Sequence, residues 1–176
     1  MFKILIALLI STSAFAGSQK EIGFGSYSYH LRGDPESFGK LSNKVSSDGR
    51  LIANGMLTYK NTKTGKFGYA SSAAFIGQNS VGTLMTGYMG AVGALVTKNL
   101  QIGFIMGAYV QDNTEFMRRE IKNSMALFPN SAISVVPLAG VEINYKVPLN
   151  KKLFLKVNNI ITPAVTNHTL SIGVEF

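Results

Sequence analysis

The sequence predicts an all-β protein: an eight-stranded antiparallel up-and-down β-barrel that crosses a membrane with its strands. Three observations predict it. Large apolar residues alternate with small or polar ones in the closing segment, where Leu170, Ile172, Val174 and Phe176 oppose Thr169, Ser171, Gly173 and Glu175. Eight segments have strand character, most of them near the ~9–11 residues that a tilted strand needs to cross a bilayer. The connections between them alternate between short and long, as short turns at one rim and longer loops at the other require.

Taken in order, the segments are 22–31, 50–60, 66–78, 83–96, 100–111, 131–147, 153–162 and 169–176. In the second, Leu51, Ala53, Gly55, Leu57 and Tyr59 oppose Asn54, Met56 and Thr58. In the seventh, Leu155, Val157, Asn159 and Ile161 oppose Phe154, Lys156, Asn158 and Ile160. Asn54, Thr58, Lys156 and Asn158 are thereby expected in the lumen. The connections 32–49, 79–82, 112–130 and 163–168 share one rim, and 61–65, 97–99 and 148–152 share the other. Gly23, Gly25, Gly87, Gly90, Gly93, Gly103 and Gly107 lie inside strands, where glycine marks bends and close packing. Two rivals are weaker readings: a periplasmic or secreted soluble barrel, whose strands would alternate as well, and a helical membrane protein. The most apolar mature stretch, 84–96, holds three glycines and is shorter than the ~20 residues a spanning helix needs.

The ends place the barrel. Lys3 precedes the apolar run 4–10, and Ser13-Ala14-Phe15-Ala16 ends in a small-x-small pattern, so residues 1–16 are expected to be a signal peptide and 17–176 the barrel. Without Lys3 the formal charge falls from +8 to +7. The terminal Phe176 is the residue that outer-membrane assembly machinery reads in this class. The expected location is the bacterial outer membrane, with a monomer of eight strands leaving an interior wide enough only for side chains or one slim ligand. Cysteine is absent, which excludes disulfides and thiol chemistry. His30 and His168 are too far apart in sequence for a metal-spacing motif, and nothing calls for a cofactor. The basic balance suits membrane-lipid phosphates better than nucleic acid, which an exported protein does not meet. Basic residues 118, 119 and 122, in a segment with some helical spacing, and Arg32, Lys40 and Lys44 fall in the longer loops.

A candidate site lies at the long-loop rim. Counting by twos from Ile22 puts Phe24, Ser26, Ser28 and His30 on one face and Gly25, Tyr27, Tyr29 and Leu31 on the other. His30 then points inward at the mouth. Ser80 and Asn79 follow the third strand at the same mouth, and Asp34 lies four residues beyond His30. A histidine beside a hydroxyl and a polar orienter suits acyl transfer, because the imidazole takes the hydroxyl proton.

Gly25-Ser26-Tyr27-Ser28-Tyr29-His30-Leu31 resembles the start of the lipid A palmitoyltransferase family of eight-stranded barrels. Residues 73–80 with Gly87-Tyr88 are similar to that family's Ala-Phe-x-Asp-Ser…Gly-Tyr region, and residues 135–141 to its Pro-Leu-Ala-x-Val strand. The resemblance implies transfer of an acyl chain from phospholipid to lipid A. It assigns the family's His to His30 and its Ser to Ser80, and its Asp position falls on Asn79 once one residue is inserted after Phe75. It also implies an apolar acyl pocket inside the barrel. The alternative is a non-enzymatic small outer-membrane barrel, serving structure, adhesion or a phage-related surface role. That reading expects polar side chains to plug the lumen.

Overall fold

In the computed structural model of the chain, residues 17–31, 51–79, 83–112, 133–163 and 165–176 are described. They form a closed barrel of eight antiparallel strands in sequence order. The strands are β1 (Gly17–His30), β2 (Leu51–Thr64), β3 (Gly68–Gln78), β4 (Leu84–Leu95), β5 (Leu100–Asp112), β6 (Ile133–Pro148), β7 (Leu153–Ile161) and β8 (Val165–Glu175). β1 pairs with β8 and closes the cylinder, so the sheet has no free side strand. Each strand found in the sequence is present. The largest shifts in bounds are that β1 begins earlier, β2 runs further, and β8 starts at Val165 rather than at 169.

Alternation decides which side chains enter. Asn54, Lys60 and Thr62 of β2, Gln101 of β5, Glu142 and Asn144 of β6 and Lys156 of β7 are buried. The residues alternating with them face outward and are mostly apolar, and on the same outer face of β5 Phe104 is 71% and Met106 74% exposed. A water-soluble barrel would keep side chains of that size off its surface, and here they cover it, while charged and amide side chains are buried beside apolar ones such as Phe75 and Ile105. The inverted pattern fits a protein whose outer solvent is lipid.

A bulge at Gly25 resets the first strand. The β1–β2 register shifts between Phe24 and Ser26, and Gly25 has φ +66°. Phe24 therefore stays outward with Ile22, and Tyr27 follows outward, while Ser26 and Ser28 are buried in the lumen. The expectation that Phe24 shares a face with Ser26 is corrected by this one extra residue, which counting by twos passes over.

Side-chain oxygens hold the short turns. Thr97 Oγ1 accepts from the Asn99 and Leu100 N–H groups, and Asn150 Oδ1 accepts from those of Lys152 and Leu153. At the opposite rim, the Thr162 hydroxyl engages the Val165 N–H and carbonyl. That turn sets the β7–β8 register.

The rim is uneven. β5 pairs with β6 up to Asp112↔Ile133, but the β6–β7 ladder stops at Val141↔Ile161. Among the described residues, β6 thus continues past the end of its ladder with β7 while still paired with β5. Lys146 donates its N–H toward the β5 side, to Asn99, so the odd-numbered residues of β6 turn their backbone groups toward β7. Pro137 is one of them, and it has no N–H to leave unpaired on that edge.

Candidate functional site

Two polar constellations stand out, one inside the barrel and one on its outer wall.

Inside, charged groups are paired across the lumen. Lys60 Nζ of β2 donates to Glu142 Oε2 of β6 at 2.7 Å, and the Tyr69 hydroxyl of β3 donates to Glu142 Oε1 at 2.7 Å. The Tyr69 side chain lies against the paired glycines Gly93 and Gly103 of β4 and β5, where a Cβ would overlap backbone. Nearer the β1–β8 seam, Lys156 Nζ donates to Glu21 Oε1 at 2.9 Å. The Ser171 hydroxyl donates to Glu21 Oε2 at 2.8 Å and Asn158 Nδ2 reaches the same oxygen at 3.3 Å. A third pair, Lys146–Glu175 at 2.9 Å, is more exposed. Each buried charge meets an opposite charge and further hydrogen bonds, the condition under which charge is tolerated in a protein interior. Toward the long-loop end, Met56, Phe75 and Met85 pack together with Met89 and Tyr109. Asn54 Nδ2 donates to Ser28 Oγ at 2.6 Å and to Ser26 Oγ at 3.2 Å.

The outer-wall group was not expected from sequence. Asn159 of β7 and His168 of β8 are direct partners in register, and Thr166 lies two residues from His168 on the same outward face. His168 Nδ1 is 2.7 Å from Asn159 Oδ1, and His168 Nε2 is 3.1 Å from Thr166 Oγ1. Asn159 Nδ2 donates to the Ile143 carbonyl at 2.8 Å. Because the amide nitrogen is committed to that carbonyl, the oxygen faces the imidazole and can only accept. Nδ1 therefore carries the proton, and Nε2 accepts from the Thr166 hydroxyl. Tyr27 and Tyr29 of β1 stand opposite His168 and Thr166 in register.

Of the four rim residues expected from sequence, Ser80 and Asp34 lie outside the described residues, and only the backbone of His30 is described, paired with Val165. Asn79 is placed in the β3–β4 connection. Its Oδ1 accepts from the Thr83 N–H at 2.9 Å, and its Nδ2 donates to Gln111 Oε1 of β5 at 3.2 Å. It holds a turn and ties it to the neighbouring strand. Residues 1–16, Arg32, Lys40, Lys44 and the basic residues 118, 119 and 122 also fall outside the described residues.

A closed eight-stranded antiparallel barrel with an apolar outer wall and a charged interior defines a class, the small β-barrels of the bacterial outer membrane. Solved structures share the architecture. The chain is similar to Ail, the attachment invasion locus protein of Yersinia pestis, solved in complex with the heparin analogue sucrose octasulfate. Identity there is 10%, over 91% of this chain and 98% of that one, with a TM-score of 0.46. It is similar also to Neisserial surface protein A, at 12% identity over 90% and 94% with a TM-score of 0.44. A de novo designed transmembrane β-barrel matches at 13% identity over 89% and 95%, with a TM-score of 0.42. No protein-family model and no curated protein matches the sequence.

The resemblance to lipid A palmitoyltransferases is thereby corrected, since Ail and Neisserial surface protein A are eight-stranded outer-membrane barrels of a different family. The motifs that carried it are short runs of small, aromatic and glycine residues, which any narrow barrel needs for packing. Inside the barrel, the ion pairs Lys60–Glu142 and Lys156–Glu21 cross the lumen below the long-loop end, and the apolar side chains Met56, Phe75 and Met85 pack together nearer that end.

Proposed function

We propose that the chain is a structural, surface-presenting barrel of the outer membrane, whose lumen is neither a pore nor a reaction chamber. The observation that carries this reading is the paired network Lys60–Glu142–Tyr69 and Lys156–Glu21–Ser171, which joins strands across the interior and leaves its charges satisfied. An ion passing through would have to break those pairs, at the several kcal/mol per uncompensated buried ion that makes such a path impassable. Acyl transfer inside the barrel finds no support in an interior of that kind. The wall meets lipid, and the long-loop end is the part offered to the exterior, where adhesion or another surface role would be exercised.

Planar-bilayer conductance tests this. The folded protein is expected to give no steady ion current, and Glu142→Ala with Glu21→Ala is expected to raise conductance by opening the network. A steady current through the unmodified protein would sink the reading. Comparing membrane integrity and host-cell attachment between cells with and without the protein then separates a structural role from an adhesive one.

A further inference from the structure

We propose that the outer wall carries a second functional centre, an ester-cleaving site for outer-leaflet lipids built from Thr166, His168 and Asn159. These three side chains stand in the order nucleophile, base and orienter, with both separations within hydrogen-bond reach. That is the arrangement by which a hydroxyl is made nucleophilic. The orienter is itself fixed, since Asn159 Nδ2 is held by the Ile143 carbonyl. All three are half-buried rather than sealed.

Position supports the chemistry. The site occupies the last rungs of the β7–β8 ladder, Asn159↔His168 and Ile161↔Thr166, beside the level at which the β6–β7 ladder ends. The outward residues of β6 above that level, such as Val135 and Ala139, are still apolar. The site therefore sits inside the lipid-facing belt, close to its outer edge, where fatty-acyl ester carbonyls border the headgroups. A polar group on this face requires internal partners merely to exist there, which apolar residues would not. An imidazole poised between a hydroxyl and a locked amide is more than that requirement asks for. Tyr27 and Tyr29 stand opposite His168 and Thr166 in register, and their hydroxyls are the candidate donors on the β1 side for an oxyanion.

The step balances with water as the only co-reactant. Thr166 Oγ attacks the ester carbonyl carbon as its proton passes to His168 Nε2. The tetrahedral oxyanion collapses, the bond from carbon to the alcohol oxygen breaks, and the imidazolium protonates the departing alkoxide. Water then attacks the acyl-threonine ester, its proton going to His168. Collapse releases the fatty acid, and the proton returns to Thr166 Oγ.

The test uses the full chain folded in detergent, mixed with vesicles of dioleoyl phosphatidylethanolamine or, separately, with purified lipid A. Release of free fatty acid is followed by mass spectrometry, and heat-modifiable gel migration verifies the barrel in every variant. Release from the first substrate assigns a glycerol ester, and from the second an acyl ester of the glucosamine lipid. Thr166→Val and His168→Ala are each expected to lower release about 100-fold or more, whereas Thr166→Ser retains it. Asn159 is a positioning residue, so Asn159→Ala is expected to lower kcat with KM unchanged. The Thr166 peptide is expected to carry a transient acyl mass. Release from neither lipid, or release that survives in folded Thr166→Val and His168→Gln, overturns the proposal.

Discussion

The lumen and the outer wall solve one problem in opposite ways. Both hold polar side chains away from bulk water, and each supplies partners to the groups that matter most there, the charges inside and the imidazole outside. In the lumen the partners are charged and come from strands far apart in sequence, such as Lys60 with Glu142 and Glu21 with Lys156. On the wall they are neutral, come from the adjacent strands β6, β7 and β8, and end in a hydroxyl that faces the membrane. The lumen network uses its donors and acceptors to fix the barrel. The wall cluster is local, so it contributes little to holding strands together, and little of the fold depends on it.

That contrast can be broken most sharply from the inside. Lys156→Met strands Glu21 in the lumen and is expected to destabilise the barrel by roughly 3–5 kcal/mol, read from urea unfolding in micelles. Replacing both members, Lys156→Met with Glu21→Leu, is expected to recover most of that loss, since an apolar pair carries no uncompensated charge. Next in size is Gly93→Ala, whose new Cβ overlaps the Ile102 carbonyl and the Gly103 backbone beneath Tyr69. A cost of roughly 1–3 kcal/mol is expected on the same unfolding curve. Gly25→Ala meets only the Asn54 carbonyl oxygen at 3.8 Å, so its cost is backbone strain alone at φ +66°, about 1 kcal/mol. The smallest effect belongs to the wall. Replacing the whole cluster, His168→Leu with Thr166→Val and Asn159→Leu, removes every polar partner at once, and the unfolding free energy is expected to change by less than about 1 kcal/mol. A loss as large as that of Lys156→Met would show the wall cluster to be part of the scaffold.

Much of this fold was legible in the sequence because a two-residue period survives wherever one face meets lipid and the other the lumen. Leu170 and Ile172 against Ser171 and Gly173 is the plainest case, and Asn54, Thr58, Lys156 and Asn158 were rightly placed inside. What was not legible came from features without a period. Gly25 adds one residue and inverts the faces on either side of it. Val165-Thr166-Asn167-His168 is polar on both faces, so it reads as loop, although it is the outer end of β8. The meeting of Asn159 with His168 depends on register, which is fixed by the Thr162 turn rather than by pattern. The rim site expected at His30, Ser80, Asn79 and Asp34 rested on nearness along one rim. Where a side chain of that set is placed, at Asn79, one hydrogen bond holds a turn and another reaches Gln111 of β5.

The early end of β7 has a consequence for the bilayer itself. With the ladder stopping at Val141↔Ile161 while β6 climbs on to Ile133, the height of wall that lipids must match differs around the circumference. Hydrophobic mismatch of this kind is relieved by tilting the protein or by locally thinning the bilayer. A barrel with such a wall is expected to lean in the bilayer, with the lipids beside the outer end of β7 and β8 the ones that adjust.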